Sequence, residues 1–245
     1  MCPFWLSDST NAERPGYTLS EREIGITLEG LIREAAGRVI VTAFASHIHR
    51  LQQIVNIAAK FGRQVLFNGK SMVVNTRLAK ELGYLDVPSG LEITVGDLER
   101  LDPSRTIIVT TGSQGEPLSA LARIAMEAHK QIHIQAGDLV ILSSKFIPGN
   151  ERAITTVINN LCRLGAEVIY QEVADIHVSG HAYQEELKLL LSLTRPRYFI
   201  PIHGEMRHLI KHAQLARAVG IPEERLLLAQ DGRQVRVDSQ GGRIN

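Results

Sequence analysis

Two short stretches place a histidine where an apolar run stops and the backbone must turn: Ile176-His177-Val178-Ser179-Gly180-His181-Ala182 and Tyr198-Phe199-Ile200-Pro201-Ile202-His203-Gly204-Glu205. Imidazole is the neutral side chain that can bind a metal or pass a proton near pH 7, and at such a turn it can face a pocket instead of a core. Two similar constructions about twenty residues apart point to a shared site. In the first, Ser179 and Gly180 permit a bend whose amides can converge on an anion, with His181 just beyond to act on a bound phosphate. His177 reads equally as a hydrogen-bonded strand residue. His203 ends an apolar strand, and ligands of open α/β folds sit at the carboxyl edge of the sheet. Glu205 can orient it or serve as a helix N-terminal charge.

Strand-to-helix junctions offer further anion chemistry. At Phe44-Ala45-Ser46-His47-Ile48-His49-Arg50 a strand ends, Ser46 has an N-capping side chain, and a helix begins. Free amides and the positive helix end there favour a phosphate; the plainer alternative is that Ser46 only caps its helix. Thr110 to Pro117 repeats the theme, yet it is neither a Walker loop nor a dinucleotide fingerprint and reads as a tight turn. His129 and His133 flank a helix end. His208 and His212, four apart on a helix, lack the glutamate of metalloproteases and read as a solvated face.

The elements that must position these groups alternate between strand and helix. Strands are expected at Val39 to Phe44, Gln64 to Phe67, Thr106 to Thr110, Leu139 to Ser143, Glu167 to Gln171 and Arg197 to Ile202. Helices are expected at His47 to Lys60, Ser71 to Leu82, Leu118 to His129, Glu151 to Leu164, Gln184 to Thr194 and Met206 to Val219. That order implies an α/β fold, a largely parallel sheet with helices on its faces. The first twenty residues read as the tail of a strand and a loop, and the segment Asp231 to Val237 as a hairpin at a sheet edge.

With 245 residues and 44% hydrophobic content the chain can fill a proper core, and a net charge of +1 gives no bulk attraction for polyanions. Cys2 and Cys162 fit no metal or disulfide pattern. No signal peptide or membrane span is legible, so a soluble cytoplasmic protein is expected.

Ser7 to Gly16, Phe44 to Ser46, Thr111 to Pro117, His177 to Ala182 and Pro201 to Glu205, taken in order, resemble the ribonuclease J family, the bacterial and archaeal branch of the β-CASP metallo-β-lactamase nucleases. The resemblance implies a β-CASP domain over 21–160, inserted into a metallo-β-lactamase αββα domain. Residues 1–20 would be the strand and loop leading into the insertion, and 161–245 the C-terminal part of that second domain. It further implies that Asp8 and His181 are catalytic and that His203 is a zinc ligand. Phe44, Ala45, Ser46, His177, Val178, Ser179, Gly180 and His181 would hold the phosphate and nucleotide of the substrate. Two zinc ions, RNA with a 5′-monophosphate cut from that end and internally, and a homodimer or larger assembly in the cytoplasm complete the implied picture.

The departure from the family pattern is large. Such enzymes carry a His-x-His-x-Asp-His cluster, a further histidine and a bridging aspartate upstream of the region matching Asp8, and a small C-terminal domain; this sequence has none of them. A hydrolytic zinc needs about three protein ligands, so His203 alone cannot hold one. The chain is therefore expected to be the RNA-binding half of such a nuclease, inactive by itself. One alternative is a non-catalytic RNA-binding or assembly module, distinguished by metal content and cleavage. Another is an α/β enzyme for a small nucleotide with His181 and His203 as acid and base, which predicts tight mononucleotide binding.

Overall fold

Strands covered by helices on both faces read as unbroken apolar runs, and Val39-Ile40-Val41-Thr42 and Leu139-Val140-Ile141-Leu142 are buried at every position. The computed structural model describes residues 2–144, 146–147, 149–174, 176–238 and 241–244. In chain order its elements are β1 (Phe4–Asp8), α1 (Glu21–Glu34), β2 (Val39–Thr42), α2 (Ile48–Lys60), β3 (Gln64–Phe67), α3 (Lys70–Glu81), β4 (Thr106–Thr110), α4 (Ala120–Ala125), β5 (Leu139–Leu142), α5 (Glu151–Arg163), β6 (Glu167–Ile169), α6 (Gln184–Thr194), β7 (Tyr198–Ile202), α7 (Met206–Ala218), β8 (Val235–Asp238) and β9 (Gly241–Ile244). They form two compact units, one of Ser20–Val178 and one of Met1–Leu19 with Ser179–Asn245.

In the unit Ser20–Val178 a five-stranded sheet runs β3-β4-β2-β5-β6, every pair parallel. Alternate side chains leave opposite faces of each strand. Val39, Val41, Ile107 and Val109 meet α1, α2 and α3 through Ile24, Leu28, Ile32, Leu51, Ile54 and Met72. Ile40, Ile108, Val140 and Leu142 meet α4 and α5 through Leu121, Ile124, Ile154 and Leu161. Each such side chain contributes roughly 1.5–3 kcal/mol by leaving water. The all-parallel order sends the loops after β2, β4 and β5 to one edge.

Several local expectations change. α1 was not expected, although Ser20 and Glu23 close a capping box at its start and Ile24, Leu28 and Ile32 recur at helical spacing. Ser46 is not the N-cap of α2: His47 is, its Nδ1 accepting the Arg50 N–H at 3.2 Å. The helix expected over 118–129 is the shorter α4, because the chain leaves helical geometry at Met126 and passes through a positive φ of 55° at Glu127. β6 adds to the free edge of β5, and the compact unit that begins at Ser20 runs on to Val178.

In the other unit β1 and β7 pair in parallel from Phe4↔Tyr198 to Asp8↔Ile202. Phe199 and Trp5 pack with Leu191 of α6 and Ala213 and Ala216 of α7. β8 and β9 are antiparallel and form a sheet of their own, so Asp231-Gly232 is a turn before the hairpin. Among the described residues no helix is long and apolar enough to cross a membrane.

Candidate active site

Because β1 and β7 are parallel and in register at Asp8↔Ile202, both chains turn at the same level, and the turn residues face each other. Asp8 closes an Asx-turn, its Oδ1 accepting the Thr10 N–H at 3.0 Å. The Ser9 N–H donates to the carbonyl of His203 at 3.1 Å. His203 is held at a φ of 55°, a left-handed conformation rare for a residue with a Cβ, and Gly204 follows at 146°. Strain of this kind persists only where the surroundings fix it. The result is that Asp8 Oδ2 faces two imidazoles, His181 Nδ1 at 3.0 Å and His203 Nε2 at 3.5 Å. The two rings lie 5.5 Å apart, and the His203 side chain is 66% exposed, open to a substrate.

The bend carrying His181 is fastened from the β1 turn. Asn11, nearly buried, donates from Nδ2 to Ser179 Oγ at 2.7 Å and to the His181 carbonyl at 2.9 Å, while the His181 N–H donates to Ser179 Oγ at 3.3 Å. Below the turn, Ser9 Oγ lies 3.0 Å from Nδ1 of His212, which is 0% exposed and sits edge-on to Phe199. Burial pushes the His212 imidazole down to about 4.

Asn11, Ser9 and His212 carry no role in the sequence reading. For His212 a solvated face is overturned: with Leu209, Ala213 and Ala216 it keeps the i, i+3, i+4, i+7 spacing of a buried stripe. His208 is no free surface group either, since its Nδ1 accepts the Glu205 N–H at 3.0 Å. Glu205 caps α7 and pairs with Arg207, whose guanidinium holds its carboxyl below the usual range; it makes no contact that orients His203.

Asp8, His181 and His203 form the one group of three metal-type donors among the described residues, all within 4.8 Å of one another. Two imidazole nitrogens and a carboxylate oxygen are zinc-type ligands, so the donor set fits such an ion. A two-metal centre needs more donors than these three.

The other expected contacts lie in the unit Ser20–Val178. Phe44 to His47 is a turn at the carboxyl end of β2, closed by the His47 N–H on the Phe44 carbonyl at 3.0 Å. Phe44 and Ser46 are exposed and Ala45 is buried. Arg50, 1% exposed, donates to Glu21 at 2.7 Å, to the Ile176 carbonyl at 2.9 Å and to Ser143 Oγ. Ser143 Oγ donates to the same carbonyl at 2.7 Å, so the segment entering His177 and Val178 is pinned at this edge. The Thr111–Pro117 loop is a packing turn: buried Gln114 bonds Ser144 Oγ at 3.2 Å and the Ile147 N–H at 2.9 Å. A Cβ on Gly115 would lie 2.7 Å from the Ala153 carbonyl carbon. Asp8, Ser179, Gly180, His181 and His203 thus belong to one unit, and Phe44, Ala45, Ser46, His177 and Val178 to the other.

The profile of the family described as Ribonuclease J, beta-CASP domain, matches residues 36–161. The chain belongs to the ribonuclease J family. A second profile, Zn-dependent metallo-hydrolase RNA specificity domain, matches residues 165–224. The chain is 48% identical over 241 residues to Ribonuclease J of Mycolicibacterium smegmatis, covering 98% of this chain and 43% of that protein. It is 50% identical over 227 residues to Ribonuclease J of Thermus thermophilus, covering 93% and 39%. For Ribonuclease J of Helicobacter pylori the values are 46% over 232 residues, 95% and 34%. The chain therefore spans less than half the length of these curated relatives. The α/β fold of a ribonuclease J β-CASP domain, a helix-flanked parallel sheet, is as expected from sequence.

Proposed function

We propose that this chain is the RNA-binding half of a ribonuclease J-type hydrolase that cuts RNA phosphodiesters from a 5′-monophosphate end and internally, in cytoplasmic RNA processing and decay. The observation that carries this reading is the meeting of Asp8, His181 and His203 at the ends of β1 and β7. Residues 21–160 are assigned to the β-CASP domain, and 1–20 with 161–245 to the metallo-β-lactamase part.

His181 serves as proton or hydrogen-bond donor to the attacked phosphate. Asp8, 3.0 Å from its Nδ1, orients the ring. His203 is the zinc ligand of this chain. A bound zinc supplies Lewis acidity, neutralising charge on the phosphate and making water easier to ionise. Each unit supplies RNA contacts of its own: the Ser179-Gly180 bend holds a phosphate in one, and the Phe44–Ser46 turn with His177 and Val178 holds phosphate and nucleotide in the other. The two zinc ions of the complete enzyme need ligands beyond this chain, and the working assembly is a homodimer or larger.

The test is made on the chain itself. It should bind 5′-monophosphorylated RNA, with His181→Ala weakening binding, and leave the RNA intact over hours. Zinc-dependent turnover by residues 1–245 alone would refute the half-enzyme reading and absence of RNA binding the whole of it. In a complete enzyme containing this segment, His181→Ala should slow cleavage by about 10²–10⁴.

A further inference from the structure

We propose that the chain carries a second anion site, for two adjacent phosphate groups, at the end of the β1–β7 pair opposite to Asp8 and His203. Arg197 and His203 bracket β7, which puts the two places roughly 20 Å apart at strand rise. The inference does not depend on the nuclease reading.

A cavity of about 480 Å³ opens there, lined by the last turn of α6, by the chain that leaves α7 at Val219 and Gly220, and by Arg195, Arg197 and Arg225. That size suits a small ligand. No carboxylate lines it, and Glu223 beside it is taken by Arg217 at 2.5 Å. Two of the three guanidinium groups are held in place while keeping donors free. Arg195 uses Nε on the Ser192 carbonyl at 3.3 Å, which leaves its two Nη groups available. Arg197 rests 5.5 Å over the Tyr198 ring. Arg195 also sits at the C-cap of α6 with φ 42° and ψ 59°, a left-handed position that glycine or asparagine usually fills.

A simpler account is that these arginines only complement the helix ends, where exposed carbonyls favour cations. The charges do not balance on that account. Two helix C-termini supply about half a negative charge each, against three guanidinium charges. About two positive charges are left over, in forks whose spacing suits phosphate oxygens. Two neighbouring phosphates match that surplus, whether in a free oligophosphate or along an RNA strand.

The chain is titrated with pyrophosphate in about 50 mM salt, where screening is weak, and followed by NMR at the Gly220 amide and the Arg225 Nε–H. Saturable shifts are expected at both. Arg195→Gly should weaken binding about tenfold while its Tm does not fall, because glycine relieves the left-handed backbone. The Gly220 shifts should persist in His181→Ala/His203→Ala, which separates this site from any anion at the Ser179–His181 bend. A pentauridylate that competes with pyrophosphate identifies RNA as the source; pyrophosphate binding without competition identifies a free oligophosphate. No saturation by about 1 mM pyrophosphate, or equal affinity in Arg195→Gly, overturns the proposal.

Discussion

His212 ties the candidate site to the stability of its unit, and the tie has a sign and a size. In the folded chain its imidazole is pushed down to about 4 from an ordinary 6.5, with burial the main cause and the Asp8 charge opposing it. The geometry explains the direction: Nδ1 is engaged with Ser9, and Nε2 has no partner, so protonation would bury a charged N–H with nothing to accept it. Below pH 6.5 the unfolded chain takes up a proton that the folded one refuses until about pH 4. The neutral imidazole's contribution is therefore complete above pH 6.5 and is lost as pH falls towards 4. The full loss is about 3 kcal/mol, and about 2 kcal/mol is gone by pH 5. Burial also lowers His47 and His129, so the wild-type curve alone does not isolate the effect. His212→Asn does, since it removes the titration and can still bond Ser9. Urea unfolding followed by the single Trp5, which packs in the same cluster, reads the relevant unit. The stability advantage of wild type over the variant should shrink by about 2 kcal/mol between pH 7.5 and 5. A difference that stays constant with pH, or an NMR titration of His212 near 6.5, would refute the reasoning.

Arg50→Met leaves Glu21 without its buried partner and the Ile176 carbonyl with only Ser143, so the unit Ser20–Val178 should lose about 3 kcal/mol in urea unfolding, with faster hydrogen exchange at His177 and Val178. Unchanged exchange there would show that Arg50 does not pin the segment. Asn11→Ala removes the donor shared by Ser179 and the His181 carbonyl, and the affinity of the chain for 5′-monophosphorylated RNA should fall about tenfold. Equal RNA affinity would place Asn11 outside the support of the bend.

What the sequence shows and what it hides divide along the reach of the interactions. The strand–helix alternation is a property of neighbours, so Thr106–Thr110 and Gln184–Thr194 are legible to the residue. His181 and His203 stand out because glycine and a change of hydropathy mark each turn, and Asp8 only through the family resemblance, though nothing local says that the three donors meet. That follows from the parallel register of β1 and β7, a pairing across some 190 residues. Residues acting through such pairings are the ones that escape. Asn11 looks like one more loop polar residue until Ser179 lies against it, and Ser9 like a linker until His212 comes up beneath. His212 itself carried a usable signal, the apolar stripe of α7, outweighed by the habit of placing histidine on the surface. The α1 helix was equally available through its Ser20–Glu23 capping box. Ser46 shows the opposite error: a favourable capping residue in the right place loses to His47 because the Phe44–His47 turn delays the helix by one residue. That turn leaves the Ser46 side chain exposed beside β2, uncommitted to α2 and free to meet a phosphate, so the failed cap and the proposed contact have one cause.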